Sequence, residues 1–162
     1  MLLIYILAAL FMFNFGGVNI SETSDADYGF DGLEWGMSVE EASEYIPLEK
    51  SSEEIVETDY GQVQTLHVYE DVMLMDYKAE LTLCYVDGFE NDSGFNGYNY
   101  RISGNVDVYN NLHDDFTEKY GAAEEGYDYA TWYPQGEDYY IFLMAYDENG
   151  STITQCSFYP VE

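Results

Sequence analysis

The chain has 162 residues, of which 32 are acidic and 4 are basic, so its formal net charge is −28. This length suits one compact domain. A hydrophobic share of 47% and an aromatic share of 18% supply enough core material for a folded protein despite the charge. The charge would repel nucleic acids and anionic lipid surfaces, and few cations exist to neutralise phosphates. Composition therefore excludes both as partners and indicates no biochemical activity by itself.

The N-terminus reads as a targeting segment. Residues from Leu2 to Phe13 form an unbroken apolar run, which has the length of a signal-peptide core rather than the roughly twenty residues of a spanning helix. Small residues before Ala26 fit signal-peptide cleavage there, although no basic residue precedes Lys50. We expect residues 1–26 to be a signal peptide or an N-terminal anchor. The protein is then secreted or on the cell surface, and touches a membrane only through this segment if it is uncleaved.

Two cysteines, Cys84 and Cys156, follow this segment. An even number outside the cytoplasm permits one disulfide, and two buried thiols in core strands are the equal alternative. The sequence contains no CxxC motif, which excludes thiol redox catalysis and zinc ribbons.

A short helix is predicted to begin at Ser38. This side chain can cap the first free amide groups while Glu41 reaches back to it, which is a capping box. Apolar residues at Ala42 and Ile46 fall on one face of the helix, and Pro47 is expected to end it.

Strands follow this first helix. The pattern changes to strands from Ile55, and Gln62–Tyr69 is rich in residues that favour strands. Alternation of apolar and polar residues predicts another strand from Lys78 to Val86. The turn-forming segment Asp87–Gly94 then leads to a hairpin partner at Gly97–Ile102.

The second helix is predicted over Val106–Tyr120. Apolar residues recur there every four positions, Asn105 is placed to cap the start, and Gly121 is placed to end it. Its charged residues lie off the apolar stripe. The pattern is typical of an amphipathic helix that lies on a sheet.

Three further strands are predicted at Tyr127–Tyr133, Asp138–Tyr146 and Thr152–Tyr159, and Asn149-Gly150 predicts a hairpin between the last two. The fold class is therefore α+β, built as two tandem helix-plus-antiparallel-sheet units. We expect residues 27–162 to form a single compact domain, with units at about 27–103 and 104–162.

The strand at Asp138–Tyr146 is apolar on both faces. Such a strand is either central and covered on both sides, which is the commoner case, or it exposes an aromatic binding surface. We select candidate binding residues from the strands that hold too many rings to bury them all. They are Tyr127, Tyr129, Trp132, Tyr133, Tyr140 and Tyr146.

The segment Phe30–Glu41, which contains Trp-Gly-Met-Ser-Val-Glu-Glu, resembles the "W-G-M-S-x-E-E" start of small exported bacterial proteins. Lys119-Tyr120-Gly121 after an amphipathic helix, followed by Trp132 on a strand, is similar to their second half. The chain thus resembles the beta-lactamase-inhibitor-protein-like architecture, which the small lipoprotein of the outer-membrane assembly machinery shares in single-unit form. The resemblance implies tandem helix-plus-sheet units and non-catalytic, protein-binding roles. This chain departs from the lipoproteins because no lipid-accepting cysteine follows its apolar run.

Physically, Trp35 before Gly36 reads as a core residue followed by a turn that requires glycine. No inhibitor contact residue of the resembled proteins matches a position of this chain. The resemblance therefore assigns no site residue.

The two histidines of the chain, His67 and His113, are the candidates for catalytic residues. The sequence has no HExxH, no GxSxG and no phosphate-binding glycine loop. Paired carboxylates are so numerous that none stands out, and the acidic turns at Asp87–Asp92 and Asp147-Glu148-Asn149 lack the spacing of a helix–loop–helix calcium site. We therefore expect no enzyme activity, no metal and no cofactor.

The composition and the aromatic strands together predict a non-catalytic exported module that binds a protein partner through a sheet face. An alternative is an acidic immunity or inhibitor protein that neutralises a basic enzyme. A less favoured alternative is a small hydrolase that uses His67 or His113. Acidity as an adaptation to salt would need no partner.

Overall fold

A computed structural model describes residue 30 and residues 32–58, 61–87 and 93–161. The predicted targeting segment lies outside these residues. In chain order, a helix precedes four strands, and a second helix precedes four more. The elements are α1 Val39–Ser43, β1 Ser52–Glu57, β2 Val63–Leu74, β3 Tyr77–Asp87, β4 Gly94–Gly104, α2 Val106–Tyr120, β5 Glu124–Glu125, β6 Tyr129–Trp132, β7 Tyr139–Glu148 and β8 Ser151–Pro160.

All eight strands belong to one antiparallel sheet in the order β1-β2-β3-β4-β8-β7-β6-β5. The first four strands and the last four meet where β4 pairs with β8. Tyr98 lies opposite Phe158 at this seam, and the two rings stack with centroids 4.6 Å apart. The fold is α+β, as predicted, and most of it is sheet.

Helix α2 covers one face of the sheet. Its side chains Val108, Leu112 and Phe116 are buried, and the Phe116 ring meets Trp132 and Phe158 at centroid distances of 5.5 and 6.4 Å. The predicted boundaries are confirmed, since Asn105 accepts a hydrogen bond from the Asp107 amide and Gly121 follows the last helical residue. Neither helix of the described residues is long and apolar enough to cross a membrane.

The capping box of α1 is confirmed. The Ser38 hydroxyl accepts from the Glu41 amide, and the Glu41 carboxylate accepts from the Ser38 amide at 2.9 Å. These hydrogen bonds lower the pKa of Glu41. The helix ends at Ser43, earlier than predicted, so Ile46 and Pro47 lie beyond it. Ile46 is nevertheless buried.

Most strands extend beyond their predicted bounds, whereas β6, at Tyr129–Trp132, is shorter than the predicted Tyr127–Tyr133. Strand β2 continues past Tyr69 through a bulge to Leu74, and Asp71 in this bulge has a positive φ of 60°. The predicted hairpin at Asn149-Gly150 is confirmed, with φ values of 51° and 85° that fit a type I′ turn. Edge strand β1 exposes Ile55, and its charged neighbours discourage pairing with other chains.

Cys84 and Cys156 are free thiols. They lie on β3 and β8 with β4 between them. Cys84 lies opposite Gly97, three residues along β4 from Tyr100, the partner of Cys156. The backbones are therefore roughly 14 Å apart, beyond the roughly 7 Å limit for a disulfide. Their side chains also point to opposite faces of the sheet. The two cysteines therefore form no disulfide with each other, and the alternative expectation of two thiols is confirmed.

The segment before α1 docks on the start of β4. The Gly36 amide donates to the Phe95 carbonyl at 2.8 Å, and the Phe95 amide donates to the Met37 carbonyl at 2.7 Å. Gly94 makes this approach possible, because a Cβ atom there would lie 2.2 Å from the Gly36 carbonyl oxygen. The Trp35 ring then stacks on Phe95 at a centroid distance of 4.9 Å.

We expect Gly94→Ala to destabilise the fold by more than about 2 kcal/mol, because the added methyl group clashes with backbone and φ is +102°. Gly136→Ala is the matched control, since Gly136 also has a positive φ but no atom within 4 Å of the new Cβ. It should cost only about 1 kcal/mol. Urea denaturation measures both, and equal losses would contradict the docking contact.

Burial raises the pKa of the Cys84 thiol to about 11 and raises that of Cys156 further. Since the thiolate is the reactive form, we expect only about one Cys84 in a thousand to be reactive at pH 8, and labelling to accelerate as the pH rises. Iodoacetamide labelling followed by mass spectrometry tests this. Both cysteines should label in denaturant without prior reduction, whereas two unreactive cysteines there would reveal a bridge.

Candidate binding site on the open sheet face

Strand β7 separates two faces of the sheet. Tyr139, Ile141 and Leu143 are buried in the core beneath the helices. The alternate side chains are only half-buried and lie on the opposite face, which we call the open face. Both helices contribute their buried side chains to the core on the other face. The open-face side chains of β7 are Tyr140, Phe142, Met144 and Tyr146.

Three tyrosines form a row across one end of the open face. Strand pairing places Tyr140 opposite Tyr159, with ring centroids 5.5 Å apart, and Tyr133 lies 5.8 Å on the other side of Tyr140. We call Tyr133, Tyr140 and Tyr159 the tyrosine row. Gly97 gives the Tyr159 ring its position, since a Cβ there would lie 2.7 Å from the ring.

A cavity of about 730 Å³ lies at one end of the sheet. It is lined by the tyrosine row of the open face and by Trp35, which packs on Phe95 and Tyr98 of the helix-covered face. Trp35 and Phe95 form part of its wall, and they come from the first half of the chain while the tyrosine row comes from the second. The described residues that line it are uncharged. Its polar side chains outside the tyrosine row are Gln62, Gln64, Ser93 and Asn96.

Trp35 has two roles. It stacks on Phe95 and lies 6.3 Å from the Tyr98 ring, in agreement with the predicted core contact. It is half-buried, and its remaining surface lines the cavity. The indole nitrogen donates to the Asp138 carboxylate at 3.3 Å, and the Asp138 carbonyl accepts from the amide of Val161, another lining residue. A carboxylate is therefore bound directly to the cavity wall.

The predicted binding residues divide into three groups. Tyr133, 57% exposed, and the half-buried Tyr140 line the cavity. Tyr129 and Tyr146 lie on the open face but away from the cavity, where the Tyr129 ring stacks on Phe142 at 5.2 Å. Tyr127 is fully exposed and precedes β6.

Trp132, the sixth predicted residue, is a core residue, and its prediction as a surface residue is wrong. It is 1% exposed, and its indole nitrogen donates to the Gly121 carbonyl at 3.1 Å. Trp132 pairs with Ile141 on the helix-covered face. Consecutive residues of a strand point to opposite faces, so Trp132 and Tyr133 cannot share one surface.

Three cavity aromatics, Trp35, Phe95 and Tyr159, were not among the predicted binding residues. Tyr159 has a sequence signal, because a two-residue turn at Asn149-Gly150 sets the register that brings Tyr140 and Tyr159 opposite each other. Trp35 gives no such signal, since its place depends on how the N-terminal segment docks on β4.

All four basic residues of the chain already have partners. Lys50 pairs with Glu53 and Arg101 with Glu148. Lys78 lies 2.6 Å from the Asp71 carboxylate, and Lys119 lies over the Tyr120 ring. Most of the 32 acidic residues therefore have no basic side chain to neutralise them.

The two histidines belong to separate clusters. His67 is buried, with its Nε2 3.1 Å from the Glu53 carboxylate and 3.4 Å from the Lys50 ammonium. Burial, and then the positive charge of Lys50, lower its pKa. His113 on α2 binds the Glu125 carboxylate of β5 at 2.8 Å. Neither histidine lines the cavity, and the described ranges hold no group of three His, Cys, Asp or Glu side chains suited to a metal ion.

Comparison with known proteins finds no matching family model, no matching curated protein and no matching solved structure. The resemblance to the beta-lactamase-inhibitor-protein-like architecture therefore stays a prediction. The site has to be interpreted from its own geometry.

We expect Trp132→Ala to cost about 3–5 kcal/mol, because it removes a large buried ring and leaves a cavity. The neighbouring change Tyr133→Ala should cost about 1 kcal/mol or less, because most of that ring is already in water. Urea denaturation of both variants measures the difference. Similar losses would contradict the assignment of these neighbours to opposite faces.

Proposed function

We propose that this protein is a non-catalytic exported module that binds a protein partner through the open face, with the tyrosine row and its cavity at the centre of the interface. The observation that carries the proposal is the 730 Å³ cavity with half-exposed aromatic walls. Its export follows from the predicted targeting segment, which lies outside the described residues.

The composition of the cavity supports an interface. Aromatic residues are enriched at the centres of protein interfaces, whereas charged residues are depleted there and concentrate at the rim. The tyrosine row and Trp35 supply the aromatic centre, and the lining residues that the structure describes are uncharged. Asp138 and the acidic surface beyond it supply a rim.

We further propose that the single domain consists of two tandem units, at about residues 27–103 and 104–162. The repeated order of one helix and four strands supports this division. The stacking of Tyr98 on Phe158 supports one shared core rather than two independent domains. In this arrangement, residues of both units line the cavity.

The positions of the histidines support a non-catalytic role. His67 holds β1 to β2 through Glu53, and His113 holds α2 to β5 through Glu125. Both imidazoles thus have structural partners. A histidine–carboxylate hydrogen bond also occurs in catalytic sites, so the support for a non-catalytic role is that neither histidine lines the cavity.

An acidic inhibitor of a basic enzyme is the second candidate. The engagement of all four cations within the chain favours it, because the rest of the surface then presents mainly carboxylates. Such a surface accelerates encounter with a basic protein, and the acceleration falls as ionic strength rises.

Tyr133→Ser should weaken partner binding about tenfold or more, since aromatic anchors in interface centres commonly contribute this much. The immobilised protein is used to capture partners from the extracytoplasmic fraction of the producing cells. A captured protein is then purified, and its affinity for each variant is measured by calorimetry at low and moderate salt.

Tyr127→Ser is the matched control, because it removes an exposed ring that does not line the cavity. It should bind the partner as the unmodified protein does. A partner that binds all three proteins equally would overturn the proposed interface. A salt-independent affinity would overturn the inhibitor candidate but not the binding module.

A further inference from the structure

We infer that the cavity at the tyrosine row accepts the guanidinium group of an arginine from a basic partner. This inference rests on the proposed protein-binding function. The walls, the polar lining and the charge of the chain each point to this occupant.

The aromatic walls suit a planar cation. Cations are attracted to the faces of tryptophan and tyrosine rings within about 6 Å of the centroid. Arginine also stacks its flat guanidinium group on such rings, which the compact ammonium group of lysine cannot do. Trp35 and the tyrosine row present four rings to one cavity.

The polar lining offers acceptors to a group that only donates. A guanidinium group has five N–H donors and no acceptor. Gln62, Gln64 and Asn96 line the wall, and each carries an amide oxygen that can accept such donors. Asp138, bonded to Trp35 and to the amide of Val161, adds a negative charge beside the cavity.

The charge of the chain favours a cation over a neutral ligand. The net charge is −28, and the four basic side chains have partners outside the cavity, so none competes with an incoming arginine. A protein of such charge attracts cations to its surface, including the mouth of the cavity. A sugar or an apolar peptide would contact the same rings without benefiting from the charge.

The test uses a blocked tri-arginine peptide and the full chain. The two tryptophan indole N–H signals are followed by NMR during titration. Trp35 lines the cavity, whereas Trp132 is buried in the core and serves as an internal reference. The Trp35 signal should shift saturably while the Trp132 signal stays in place.

Two control peptides distinguish arginine from other possible ligands of the cavity. A tri-citrulline peptide has the shape of arginine without its charge, so it should bind at least about tenfold more weakly. A tri-lysine peptide should also bind more weakly, because ammonium groups do not stack. Tyr133→Ser should weaken arginine binding about threefold to thirtyfold, the range of a cation–π contact, and Tyr127→Ser should leave it unchanged.

Equal binding of tri-arginine and tri-citrulline would overturn the inference and indicate a neutral ligand. Equal binding of tri-arginine and tri-lysine would overturn the stacking of a guanidinium group. Binding that leaves the Trp35 signal unmoved would show only attraction to the acidic surface, and would also overturn it. The proposed interface is judged separately, because partner capture can depend on Tyr133 even where the arginine peptide fails to bind.

Discussion

The pairing of β4 with β8 is the contact on which the rest of the structure depends. It joins four strands from each half of the chain into one sheet, with Tyr98 stacked on Phe158 at the seam. The cavity lies across this seam, since Trp35 comes from one side and the tyrosine row from the other. The same register that builds the core therefore also builds the candidate site.

Features that depend on neighbouring residues were predictable from the sequence. The cap at Asn105, the stop at Gly121 and the turn at Asn149-Gly150 each involve residues that are close in the chain. The period-two pattern of β7 also separates its core side from its open side. Applied to β6, that rule would have placed Trp132 and Tyr133 on opposite faces.

Features that depend on distant contacts were not predictable. The docking of Trp35 on Phe95, the pairing of β4 with β8 and the two-residue strand β5 carry no local pattern. For the same reason, the spacing of Cys84 and Cys156 left the bridge undecided. The open-face tyrosines were predicted only in part. An excess of aromatic residues indicates that some of them lie on the surface, but it does not identify which ones.

Gly97 has a consequence beyond its own strand. It lies on β4 beneath the Tyr159 ring and leaves no room for a side chain of its own. Any larger residue would displace that ring, which lines the cavity, and so change the shape of the space beside the row. A position without a side chain thus determines the shape of the site, and its replacement offers a way to change which ligands enter without altering a contacting residue.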